Sequence, residues 1–185
     1  MNETGIIQSK KLGEFFKNIP IDYFISSDLI RCKQTLEEVL KYQDYDPSKI
    51  RYTPNLRERE MGPVQNMFLT EALEKYGKNF RNLGEKEEEL CARVNLEFQE
   101  LLDSDYNNII MCTHGGVITR FINYLHSDLG YELSSELTPN DLKVPFNTSI
   151  SIIEFDKIGK KGVIQSFGKT DHLGGKFEVK DQLLR

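Results

Sequence analysis

Three short groups along the chain carry side chains suited to holding and cleaving a phosphate ester. Ser27, Asp28 and Arg31 follow the apolar run at residues 21–26. Arg57, Glu58 and Arg59 follow the run at residues 50–55, and Thr113, His114, Gly115 and Gly116 follow the run at residues 107–112. Arginine presents a planar fork of donors that matches phosphate oxygens, and the first N–H groups of a helix bind anions as well. A carboxylate such as Glu58 beside them is placed to give a proton to a leaving alkoxide.

Taken singly, each signal also has an ordinary reading. His114 suits a tight turn whose backbone satisfies the ring, and Gly115-Gly116 lets a helix pack closely on a sheet. Arg31 reads as a solvated helix residue, and Leu56-Arg57-Glu58-Arg59-Glu60 as a solvated loop of alternating charge. Asn147-Thr148 reads as a turn, His126 and His172 as structural or surface histidines, and Cys32, Cys91 and Cys112 as core packing.

The three groups act together only if the runs before them are strands and the segments after them are helices. Apolar spacing predicts helices over residues 3–17, 29–42, 68–76, 86–102 and 117–125. In the first of these, Ile7, Leu12, Phe15 and Phe16 form the apolar face, and Pro20 closes it. Asp28 is the expected N-cap of the second. Short β-branched and aromatic runs predict strands over 21–27, 50–55, 107–113, 148–155 and 162–167, the third of them buried. Residues 57–66 read as loop, and 128–146 as irregular with one short helix. The turn at 156–161 marks the last two strands as a hairpin. The alternation predicts an α/β fold with a largely parallel sheet and one antiparallel pair. Such sheets bind ligands at the carboxyl ends of their strands, where all three groups fall.

At 185 residues the chain is one domain, residues 1–185. Its 8 Tyr and 11 Phe exclude disorder, and a net charge of -5 argues against a nucleic-acid partner. No apolar run approaches the ~18 residues that span a bilayer, so no membrane partner is expected. The odd count of three cysteines reads as free thiols, and with no secretory pattern at the start the expected location is cytoplasmic.

The order of the motifs carries more than any one of them. Ile25-Ser26-Ser27-Asp28-Leu29-Ile30-Arg31-Cys32-Lys33-Gln34-Thr35, Leu56-Arg57-Glu58-Arg59-Glu60-Met61-Gly62 and Met111-Cys112-Thr113-His114-Gly115-Gly116-Val117 resemble, in order, three signatures of the histidine phosphatase superfamily. Asn2-Glu3-Thr4-Gly5-Ile6-Ile7-Gln8 is similar to that family's first helix opening. Within it, the segments 26–35 and 56–62, Asp171-His172-Leu173 and the stretch 127–147 resemble the TIGAR-type fructose-2,6-bisphosphatases, which regulate glycolysis.

The resemblance implies a phosphoglycerate mutase-like three-layer α/β/α fold with a mostly parallel sheet. It also implies hydrolysis of a phosphorylated sugar or small phosphomonoester, fructose 2,6-bisphosphate first, through a phosphohistidine and with neither cofactor nor metal. It implies that Arg31 binds phosphate, Glu58 is the proton donor and His114 binds the transferring phosphoryl group. Ser27, Gly115 and Thr148 would help shape the pocket, and Arg57 and Arg59 would hold a second phosphate. The family's nucleophile is the histidine of an Arg-His-Gly that ends a first, central strand, and no Arg-His-Gly occurs among these residues. The expectation is a truncated, inactive chain, with a phosphate-binding pseudophosphatase, a mutase or a broad phosphomonoesterase as the alternatives. The oligomeric state is left open.

Overall fold

The computed structural model describes residues 1–179. Helix α1 (Glu3–Phe16) leads to strand β1 (Tyr23–Ser27), helix α2 (Ile30–Leu40) and strand β2 (Arg51–Thr53). Helices α3 (Leu69–Tyr76) and α4 (Glu87–Leu102) precede strand β3 (Ile109–Cys112) and helix α5 (Gly115–Ser127). Strands β4 (Glu132–Leu133), β5 (Ile150–Asp156) and β6 (Lys161–Lys169) complete the order. One parallel sheet has the order β2-β1-β3, with Ile25 opposite both Arg51 and Met111. The other has the order β4-β6-β5, in which β5 and β6 form the antiparallel hairpin and β4 runs parallel to β6.

Helices cover both faces of the sheets, which makes the three layers. On one side Leu12, Phe24, Leu36 and Val39 form a core with α1 and α2. On the other, Ile25, Val94, Phe98, Val117 and Phe121 form a larger core with α4 and α5. Burial on both faces explains why β1 carries apolar and small residues without polar alternation. Among the described residues, no helix is long and apolar enough to cross a membrane.

Several sequence expectations shift. The α1 face that packs on α2 is small, with Ser9, Leu12 and Gly13 buried, while Ile7 and Phe15 are exposed. A Cβ at Gly13 would lie 2.6 Å from the Tyr42 ring and 2.9 Å from the Glu38 carbonyl, so the close approach of the two helices requires glycine there. Asp28 does not cap α2. Its carboxylate is taken by Arg57, whose Nε and Nη2 each lie 2.6 Å from it, and Leu29 is the N-cap. Residues 128–146 are irregular apart from the two-residue β4 and one short helix, the 3-10 helix at Pro139–Asp141. All four residues of β3 are half-buried, because among the described residues no strand lies along its edge away from β1.

The loop that follows β2 is tied down by α4. Glu97, 2% exposed, accepts hydrogen bonds from Thr53 Oγ1 at 2.7 Å and Asn55 Nδ2 at 2.8 Å. Its other oxygen lies 2.9 Å from Arg51 Nη2, an ion pair too bent to be a hydrogen bond. Arg93, one helical turn earlier, donates to the Asn55 carbonyl and pairs with Glu85 at 2.6 Å. Together they fix where Arg57, Glu58 and Arg59 leave the sheet.

His172 gives the fold a pH dependence. Its ring packs 5.9 Å from that of Phe15, and its buried Nε2 has no partner. Burial, the largest influence, holds its pKa below the usual imidazole value near 6.5. The folded state therefore resists a proton that the unfolded chain accepts, so stability is full above pH ~6.5 and is lost as pH falls toward the lower folded value. Thermal melts from pH 8 to pH 5 are expected to show this decline, and His172→Gln to flatten it; an identical slope in the variant would refute the assignment.

Candidate active site

The carboxyl ends of β1 and β3 deliver the pocket. Ser27, the last residue of β1, is fully buried, and its Oγ accepts from the Leu29 N–H at 3.3 Å. Arg31 stands in the first turn of α2. His114 is the N-cap residue of α5 and is 6% exposed. Thr113 Oγ1 donates to the Leu56 carbonyl at 2.8 Å and so joins the end of β3 to the loop that bears Glu58.

His114 is held at both ring nitrogens. Arg31 Nε donates to Nδ1 at 3.0 Å, which places the ring proton on Nε2, and Nε2 donates to Ser27 Oγ at 2.9 Å. This fixes the ring's orientation with an arginine fork directly beside it. The N-termini of α2 and α5 converge on the same point, and neither has a side-chain cap from its own N-cap residue. Their partial positive charge adds to that of Arg31.

Glu58 spans the two helices' end of the pocket. One carboxylate oxygen accepts from the Arg59 N–H at 2.9 Å, the other from the Gly116 N–H at 3.3 Å. A Cβ on residue 116 would lie 2.6 Å from Glu58 Oε1 and 3.1 Å from Arg120 Nη1. Glycine at this position is what lets the carboxylate reach the α5 N-terminus. The arrangement sets an anion-binding cluster beside a held carboxylate, the pair of functions that phosphoryl transfer from an ester needs.

The structure thus brings Ser27, Arg31, Glu58 and His114 together, with Gly115 packed 3.2 Å, at its notional Cβ, from Val144. Arg59 and Thr148 line the same cleft as Arg31, Glu58, His114 and Gly115, whereas Arg57 does not. Arg57 is occupied by Asp28. Arg59 Nε donates to the Glu85 carbonyl at 2.7 Å. Thr148 has φ of 56°, and its hydroxyl donates to the Asn147 carbonyl at 2.7 Å.

Sequence reasoning missed Cys32 as a neighbour of the site. Its Sγ lies 3.6 Å from His114 Nε2. The Cys112 thiol donates to the Cys32 carbonyl at 3.9 Å, and the nearness of Cys112, His114 and Arg31 lowers the Cys32 pKa while that of Cys112 is raised. Cys91, by contrast, is pushed up to about 11, chiefly by burial. The signal available was adjacency: Cys32 follows Arg31 on the first turn of a helix. Glu97 and Arg93, which place the Glu58 loop, gave no local signal.

Comparison with known proteins shows the family. Residues 1–167 match the histidine phosphatase superfamily (branch 1). A broad-specificity phosphatase of Saccharomyces cerevisiae is 36% identical over 196 residues, which cover 100% of this chain and 82% of the relative. The fructose-2,6-bisphosphatase TIGAR of Xenopus laevis is 36% identical over only 72 residues, 38% of this chain and 26% of that protein. Among solved structures, Bacillus stearothermophilus YhfR superposes with a TM-score of 0.75 at 18% identity, over 94% of this chain and 86% of that one. With the signatures colinear and the fold shared, the chain belongs to the histidine phosphatase superfamily, branch 1.

Proposed function

We propose that the pocket binds the phosphoryl group of small phosphate esters, sugar phosphates foremost, and forms the acid and anion half of a phosphatase site. The observation that carries this is the His114 imidazole held between Arg31 and Ser27, with the Glu58 carboxylate on the same helix terminus. In the complete reaction a histidine nitrogen attacks phosphorus as the ester P–O bond breaks, and Glu58 gives its proton to the leaving oxygen. Water then attacks phosphorus, its proton passing to Glu58, as the P–N bond breaks to release inorganic phosphate and neutral histidine.

That accepting histidine is not available among these residues. His126 is bonded to the Tyr131 carbonyl at 2.8 Å, His172 lies against Phe15, and His114 is engaged on both nitrogens. We therefore read the described residues as a pocket that binds the phosphoryl group without supplying the histidine that would accept it. The three free thiols suit the cytoplasm. Fructose 2,6-bisphosphate is one candidate substrate. A broad phosphomonoesterase is favoured over it, because Arg57 is paired with Asp28 and the full-length likeness is to a broad-specificity enzyme.

Titration with inorganic phosphate, followed by amide NMR, tests the pocket. Saturable shifts at Arg31, Gly115 and Gly116 are expected; unmoved amides at high phosphate would sink the reading. With the histidine strand fused in front, turnover is then compared on fructose 2,6-bisphosphate, 2,3-bisphosphoglycerate and 3-phosphoglycerate.

A further inference from the structure

Two thiols sit beside the phosphate pocket, and the phosphoryl chemistry uses neither. Cys32 follows Arg31 in the first turn of α2, and Cys112 is the last residue of β3. The Cys32 thiol donates to the Thr113 carbonyl at 3.7 Å, and the Cys112 thiol donates to the Cys32 carbonyl at 3.9 Å. Each sulfur thus reaches backbone at or next to the other residue, where the start of α2 meets the end of β3. Both cysteines line the same cleft as Arg31 and His114, so a small solute that reaches the pocket also reaches them.

The surroundings treat the two sulfurs unequally. Cys32 Sγ lies 3.6 Å from His114 Nε2, the ring nitrogen that carries the proton, so a thiolate there has a donor facing it. Its place in the first turn of the 11-residue α2 adds the positive end of the helix dipole. Cys112, then His114 and Arg31, lower the Cys32 pKa against the opposing effect of burial. Cys32 and burial together raise that of Cys112. One sulfur is therefore the readier nucleophile, and the other keeps its proton. Cys91 is set apart from both. Its thiol donates to the Arg120 carbonyl at 3.8 Å, and burial first of all pushes its pKa up to about 11.

We propose that Cys32 is a peroxide-reactive thiol with Cys112 as its resolving partner, a reversible oxidation site beside Arg31 and His114. The co-reactant is a small hydroperoxide, hydrogen peroxide in the simplest case. The Cys32 proton leaves to solvent, and the thiolate attacks one peroxide oxygen. The O–O bond breaks, and the departing hydroxide takes up a proton to become water. Cys32 is left as a sulfenic acid, oxidised by two electrons as the peroxide is reduced. The Cys112 sulfur then attacks the Cys32 sulfur, the S–O bond breaks, and the oxygen leaves as water with the Cys112 proton. The product is a Cys32–Cys112 disulfide, which a dithiol reductant returns to two thiols by exchange. The bridge ties the turn that carries Arg31 to the strand that ends two residues before His114, and so joins the supports of both groups that face the anion. That last consequence rests on the proposed phosphate binding, whereas the oxidation does not.

The test treats the 185-residue chain with hydrogen peroxide in phosphate-free buffer and maps its thiols by peptide mass spectrometry without reduction. An intramolecular Cys32–Cys112 disulfide is expected, and dithiothreitol is expected to remove it. Cys91 is expected to be oxidised at least about tenfold more slowly than Cys32. In Cys112→Ser the reaction is expected to stop at the sulfenic acid of Cys32, which dimedone captures. In Cys32→Ser, Cys112 is expected to give no comparable adduct. The mapping of the unaltered chain decides by itself, so a variant that fails to fold does not shield the proposal. Four results would overturn it: no Cys32–Cys112 bridge at excess peroxide, Cys91 oxidised as fast as Cys32, bridges formed only between molecules, or equal dimedone capture at Cys112 in Cys32→Ser. None of these readouts uses phosphate, so a pocket that fails to bind phosphate leaves the oxidation site standing, and the reverse.

Discussion

Arg31→Ala is expected to weaken inorganic phosphate binding by about tenfold to a hundredfold, the equivalent of ~1.5–3 kcal/mol for a charge-assisted hydrogen bond. Two losses combine. The fork that faces the anion is removed, and His114 Nδ1 loses its 3.0 Å donor, so the ring is no longer confined to the tautomer with its proton on Nε2. Arg31→Lys is expected to restore only part of the affinity, because an ammonium gives a point charge without the planar fork. Arg57→Ala is the matched control. Its guanidinium is committed to Asp28, and its removal is expected to change phosphate affinity less than about twofold, within the range of exposed ion pairs. Equal losses in the two variants would mean that the pocket binds anions by diffuse charge. An unaffected Arg31→Ala would show that phosphate binds elsewhere.

That contrast follows from how the site is written into the chain. The strands and helices that carry Ser27, Arg31 and His114 were legible, because the apolar runs end one position before Ser27 and two before His114, and Arg31 follows within the first turn of the next helix. Glu58 was legible as a motif residue but not as a placed one. Its position depends on Glu97 reaching Thr53 and on Arg93 reaching Asn55, pairings 44 and 38 residues apart that no local period encodes. The same limit explains α1, where a short-range apolar face at Ile7 and Phe15 gives way to the small face that α2 requires. It also explains Asp28, a good cap by type that found a stronger partner in Arg57. Strand β3 was read correctly as a strand and incorrectly as buried, since the burial of a strand depends on what lies along both its edges.

The loop's dependence on α4 makes Arg51→Ala the substitution with the largest expected effect on stability. Glu97 is buried, with Arg51 as its countercharge at 2.9 Å. Deleting one partner of a buried pair strands the other, at a cost of about 3–5 kcal/mol. Arg51 is itself 40% exposed, and Thr53 and Asn55 still donate to Glu97, so the low end, ~3 kcal/mol, applies. For a domain of this length that lowers Tm by about 6–12 °C. Arg51 also pairs with Glu100, which is 60% exposed, and Glu100→Ala is expected to cost less than ~1 kcal/mol. Adding Glu97→Gln to Arg51→Ala removes the stranded charge while keeping an acceptor for Thr53 and Asn55, and should recover part of the lost Tm. Thermal denaturation of the four proteins decides the matter. If Arg51→Ala and Glu100→Ala melt alike, the buried pair does not hold the Glu58 loop, and the loop's position must be set by Arg93 alone.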